Sequence, residues 1–171
     1  MKPGALVLLL AVLTAGCGST KTVTRTVTVN PTAKTGVGAP GEQVQFGYVE
    51  SLTRKGSRYE LRFDPAWFLT GETANVAAAE DGAVEPGEPV PNDNYVVNEG
   101  HRLFTYLVPA DARVKVLTNG VSGSPVTVAQ LAELVRGKNP FPRPLFEPLT
   151  TGFWIRIDID TVRSLDQQYR P

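Results

Sequence analysis

Every aromatic side chain of this 171-residue chain lies beyond Glu42: all 7 Phe, both Trp and all 5 Tyr. Aromatic rings supply the largest apolar areas that a core can bury, so a folded body can be built only from that point on. The roughly 130 residues that remain are ample for one core, and no internal repeat divides them. The organisation expected is a leader over 1–16, a spacer over 17–42 and a single globular domain over 43–171.

Within that domain the apolar residues recur with period two. Val44, Phe46 and Tyr48 alternate with polar or small residues. After a turn at Arg54-Lys55-Gly56-Ser57, Tyr59, Leu61 and Phe63 alternate with Arg58, Glu60 and Arg62. This predicts a hairpin with one wet face. Asp64-Pro65 reads as a short helical turn, with Asp as cap and Pro at the first helical position. Thr70 is placed to cap an Ala-rich helix over 71–81, which Gly82 ends. Strands are expected at about 95–98, 103–108 and 112–118, and Asn119-Gly120 is a turn signal.

The clearest helix spans 128–136. It opens on the capping-box sequence Thr127-Val128-Ala129-Gln130 and stops at Gly137. Pro140, Pro142, Pro144 and Pro148 then exclude a strand or helix interior, leaving an extended crossing pinned by Phe141 and Phe146. Finally Phe153, Ile155, Ile157 and Ile159 alternate with Trp154, Arg156, Asp158 and Asp160. That parity fails at Val162 and Leu165, which requires a turn or bulge near 158–161. The fold class that follows is α+β: a mostly antiparallel, curved or barrel-like sheet with two packed helices.

Ahead of the domain, Lys2 precedes an uncharged apolar run from Ala5 to Leu13, and the only Cys of the chain follows at Cys17. The run falls far short of the ~20 residues that cross a bilayer as a helix, so it reads as an export signal. Leu13-Thr14-Ala15-Gly16-Cys17 resembles the lipobox of bacterial lipoproteins, with Thr14 where that family most often has Leu. The resemblance implies cleavage before Cys17, a diacylglyceryl group on its thiol and often a further fatty acyl chain, such as palmitate, on its amine. One acyl chain binds a membrane marginally, whereas two or more hold stably. The expected location is therefore the extracytoplasmic face of the cell membrane.

The spacer that follows alternates Thr with Val and Lys or Arg, and holds neither Leu nor an aromatic ring. It buries too little to offset its ordering entropy. As a coil of ~25 residues it spans roughly 25–30 Å. The Gly-x-Gly-x-x-Gly formed by Gly36, Gly38 and Gly41 sits at its end without the helix that a dinucleotide fingerprint needs.

Composition removes whole classes of chemistry. One Cys excludes an internal disulfide framework and any Cys-based zinc site. One His excludes multi-histidine metal centres. With 17 Lys and Arg against 17 Asp and Glu there is no global electrostatic footprint for nucleic acid. Gly120-Val121-Ser122-Gly123 is one residue short of a nucleophile elbow, so Ser122 and Ser124 read as loop residues. His101 is the only imidazole and lacks an evident orienting partner, so it reads as a surface histidine in a strand connection.

The stretch 80–100 is acidic, with no Lys or Arg, and its oxygen ligands suit a hard cation such as calcium. Asp81, Glu85, Glu88 and Asp93 are its candidate ligands, although their spacing does not match a calcium-binding loop and a solvated acidic loop is the simpler reading. Trp67, Phe68, Trp154, Tyr95 and Tyr106 could form an aromatic platform for a sugar or peptide, with core packing as the simpler reading. The segment Phe63-Asp64-Pro65-Ala66-Trp67-Phe68-Leu69-Thr70-Gly71-Glu72, with Pro91-Asn92-Asp93-Asn94-Tyr95-Val96-Val97-Asn98, resembles a recurring pair in small exported bacterial proteins of unassigned function, and implies no active site. The expectation is a lipid-anchored, non-enzymatic binding module that needs no cofactor and whose partner is an envelope protein or polymer. The alternative is a small carboxylate-dependent hydrolase, assisted by calcium.

Overall fold

Alternation of apolar and polar residues makes the two longest elements of the computed structural model, which describes residues 41–100 and 102–171. The leader, Cys17, the spacer up to residue 40 and His101 lie outside the described residues. Strands β1 (Gln43–Lys55) and β2 (Arg58–Thr70) form an antiparallel hairpin that turns at Gly56, where φ is +61°. Tyr59, Leu61 and Phe63 are buried, while Arg58 and Arg62 are exposed, as the period-two pattern requires. A bulge between Val49 and Ser51 shifts the register of β1.

The expected helical turn at Asp64-Pro65 does not form; β2 runs straight through it. The reason lies in the neighbours. β3 (Asn94–Val97) pairs with Trp67–Thr70 and β4 (Phe104–Pro109) with Arg58–Phe63, so 64–66 pair on one side only, with β1. Proline is tolerated in a strand where no donor is needed.

The remaining strands are β5 (Arg113–Val116), β6 (Ser124–Val126), β7 (Phe153–Asp158) and β8 (Thr161–Gln167). Pairing closes a ring in the order β1, β2, β4, β8, β7 and back to β1. All contacts in this ring are antiparallel except β4 with β8, joined in parallel at Leu107 and Thr161. This connectivity is that of the five-stranded Greek-key barrel of the OB architecture. β5 and β6 extend the sheet beside β8, and β3 extends it beside β2.

Inside the ring Leu61, Phe63, Val108, Phe153, Ile155 and Leu165 are fully buried. Helix α2 (Val128–Val135) completes this core with Val128, Leu131 and Leu134. Its capping box is present: Gln130 N–H donates to Thr127 Oγ1 at 3.1 Å, and Thr127 N–H donates to Gln130 Oε1 at 2.9 Å. Helix α1 (Gly71–Glu80) instead lies on the β2–β3 extension, where Ala74, Ala77 and Ala78 are buried beside Leu69 and Val97. Thr70 was expected to cap α1 and does not; Gly71 N–H donates to Asp93 Oδ1 at 3.0 Å.

Two further expectations change in detail. The proline-rich crossing is held by Phe141 and Leu145 against the core and by Phe146 N–H on Leu117 O at 2.8 Å, while the Phe146 ring stays half-exposed. The parity failure resolves into both a register shift after Arg156 and a tight turn at Ile159-Asp160.

Candidate functional site

The bulge in β1 borders a surface hollow. An open groove of about 620 Å³ runs between Tyr48, Val49 and Glu50 on one side and Leu134, Val135, Leu145 and Leu149 on the other. Its size falls in the ~300–1,000 Å³ range of small-ligand sites. The floor is aliphatic. Tyr48, the exposed Glu50, Asn139 and Thr150 are the polar residues of the groove's lining. A bulge next to a cleft re-aims side chains, and here three consecutive residues, Tyr48, Val49 and the unpaired Glu50, border the same hollow.

Beside the groove, Tyr48 pairs with Asp64 across β1 and β2. Burial holds the Tyr48 phenol above its ordinary value; the Arg170 guanidinium opposes this and the Asp64 carboxylate adds to it. Asp64 Oδ2 accepts from Asn98 Nδ2 at 2.8 Å, whereas Asp64 Oδ1 is buried without a hydrogen-bond partner. Phe46, Phe68 and Trp154 pack edge-on beside Tyr48, with centroids 5.0 to 5.9 Å apart. This packing is close enough that a Cβ at Gly152 would stand 2.5 Å from Phe46 Cζ. Trp154 Nε1 donates to Gln168 Oε1 at 2.7 Å.

Of the expected aromatic platform, only Phe68 and Trp154 come together, and Phe46 fills the space between them. Trp67 lies on the other face of β2, half-exposed, and Tyr106 packs on Phe63 in the core. Tyr95 donates to Asp81 Oδ2 at 3.3 Å.

The candidate cation ligands are exposed and separately employed. Asp93 caps α1, Asp81 accepts from Tyr95, and the Glu85 carbonyl accepts from Glu88 N–H. Val90 N–H on Asn75 Oδ1 at 2.9 Å ties their loop to α1. A smaller hollow of about 350 Å³ lies between α1 and this loop, but none of Asp81, Glu85, Glu88 and Asp93 lines it. Among the described residues no group of three or more His, Cys, Asp or Glu is placed to hold a metal ion. Ser122 is an exposed loop residue and Ser124 opens β6. His101 and Cys17 lie outside the described residues.

No protein-family model matches this chain, and neither a curated protein nor a solved structure matches it. The groove therefore stands on its own chemistry. Sequence reasoning missed it because Tyr48 and Glu50 are far in the chain from Leu134, Leu145 and Leu149. The one local signal is Tyr48-Val49, where two consecutive large side chains interrupt the alternation of β1.

Proposed function

We propose that the protein is a lipid-anchored module of the extracytoplasmic membrane face that binds a largely aliphatic ligand in the β1–α2 groove and performs no chemistry on it. The observation that carries the binding half is the groove's composition: a mainly aliphatic lining of Val49, Leu134, Val135, Leu145 and Leu149 that also includes Tyr48 and Glu50. Such a surface orients a ligand through two polar contacts and holds it by apolar burial. A general acid–base pair needs a second positioned proton carrier, and among the described residues none is hydrogen-bonded to the side chain of Tyr48 or Glu50. The anchoring half rests on the lipobox resemblance at Leu13-Thr14-Ala15-Gly16-Cys17.

Two experiments test the two halves. N-phenylnaphthylamine, an uncharged apolar dye, should brighten on the parent. It should bind at least tenfold more weakly to Thr150→Trp, which fills the groove from an exposed position. Equal uptake by both proteins refutes the groove. For the anchor, the mature N-terminal peptide should carry acyl mass on Cys17, and Cys17→Ser should leave the membrane fraction. A free thiol there refutes it.

A further inference from the structure

We propose that the outer wall formed by β1, β2 and β4 is a docking surface for an anionic membrane, which fixes the orientation of the domain on its anchor. This rests on the anchored reading above and adds a second contact to it.

The two ends of β2 carry opposite charge. Arg54, Lys55, Arg58 and Arg62 surround its start against two acids, Glu60 and the exposed Glu50 at the β1 bulge, whereas no Lys or Arg occurs from 63 to 101. At its far end α1 and the following loop carry Glu72, Glu80, Asp81, Glu85, Glu88 and Asp93. The strand is 13 residues long, which is up to ~40 Å of chain and well beyond the ~8 Å screening length in physiological salt. The acidic end therefore does not neutralise the basic one.

Register shows that the basic end is not built for its own stability. Lys55 faces Arg58 directly across the hairpin, and like charges so placed destabilise a strand pair. Arg62 faces Ser51 and Thr105, and Glu60 faces Thr53 and Leu107. Among the described residues no carboxylate pairs with Lys55, Arg58 or Arg62; the ion pairs of Arg156 with Glu42 and of Arg163 with Asp158 lie elsewhere. Asp160 sits at the margin of the wall, where its carbonyl accepts from Leu107 N–H, and the exposed Asp111 follows Pro109, the strand partner of Arg58. The surplus is thus concentrated at the hairpin tip.

The partner class follows from what else the wall presents. Leu107 is exposed between the charged rows, and Ile159 projects beside it. Phe104 is exposed on β4 but lies at the end away from the hairpin tip; the residues between the cations, Ser51, Thr53, Thr105 and Leu107, carry no ring on which successive bases could stack, as binding of single-stranded nucleic acid requires. Cations interspersed with aliphatic side chains suit a headgroup layer. Reach is sufficient: the hairpin tip lies up to ~40 Å along β1 from Gln43, and a spacer of about 25 residues extends to at most ~85 Å. Anchor and tip can therefore touch one surface.

The test uses the full mature chain carrying Cys17→Ser, so that no acyl chain contributes. It should co-sediment with vesicles containing phosphatidylglycerol, not with pure phosphatidylcholine, and release as salt rises. Each basic residue near a surface contributes about fivefold, so Arg58→Glu/Arg62→Glu should bind at least tenfold more weakly. Arg136→Glu/Lys138→Glu, the same charge change beyond α2, should stay within about twofold of the parent. Equal binding to neutral vesicles, equal loss in both double variants, tighter binding to oligothymidylate than to vesicles, or no vesicle binding each overturns the proposal. The mass of the Cys17 peptide is read separately, so failure of the anchor and failure of the wall are distinguishable.

Discussion

Ile159 holds φ +58° at the β7–β8 turn with 86 % of its surface exposed. A β-branched residue in that region costs about 1–2 kcal/mol relative to glycine. Ile159→Gly should therefore raise the denaturant midpoint by about 1 kcal/mol of stability, read by urea unfolding; an unchanged or lowered midpoint would show that the turn is unstrained. Gln167 is the opposite kind of residue, buried and fully used. Its Oε1 accepts from Leu117 N–H at 2.9 Å, and its Nε2 donates to Pro148 O at 2.8 Å and Thr151 Oγ1 at 3.0 Å. It ties β8 to the end of β5 and to the proline-rich crossing. Gln167→Leu leaves the Leu117 N–H buried and unpaired, and should cost about 2–3 kcal/mol in the same measurement. The sequence shows a glutamine in a strand; which three segments it joins is decided only by their meeting.

At the scale of elements, helix α2 was legible because all of its signals are local: a capping box, one apolar face and Gly137 after its last turn. Helix α1 was legible in extent but not in mechanism, since its first amide is satisfied by a side chain 22 positions away. Asp93→Ala should cost about 1 kcal/mol and loosen α1, seen as faster hydrogen exchange at its first turn. Thr70→Ala should leave exchange there unchanged. Strand β2 was misread at Asp64-Pro65 for a related reason. A proline's tolerance depends on whether a neighbour needs its N–H, and that neighbour gap exists only once β3 and β4 have docked on separate halves of the strand.

For the whole molecule, two bulk measurements are informative. Burial raises the phenols of Tyr48 and Tyr106 above their ordinary value, and for Tyr106 a hydrogen bond to Gln45 opposes this. Each folded phenol thus holds its proton more tightly than the unfolded chain does. The stability they contribute is intact below about pH 10 and is lost as pH rises through the raised folded values. Thermal unfolding should stay level across neutral pH and weaken above pH ~10, and Tyr48→Phe should flatten that decline. Calcium should move the melting temperature by less than about one degree, because the exposed carboxylates of the acidic loop are dispersed. A shift of several degrees would instead show ligand linkage and restore a cation site.

By itself the sequence determined where a core can form, the period of its strands, helix α2 and the α+β class, because these depend on residues within a few positions of one another. It also carries the lipobox-like segment as a readable string. Only tertiary structure decided that five of the strands close into a ring and that the β1 bulge meets the end of α2 to open a groove. Each of these is a juxtaposition across tens of residues. No local propensity encodes it, since it exists only after long-range pairing has fixed register and face.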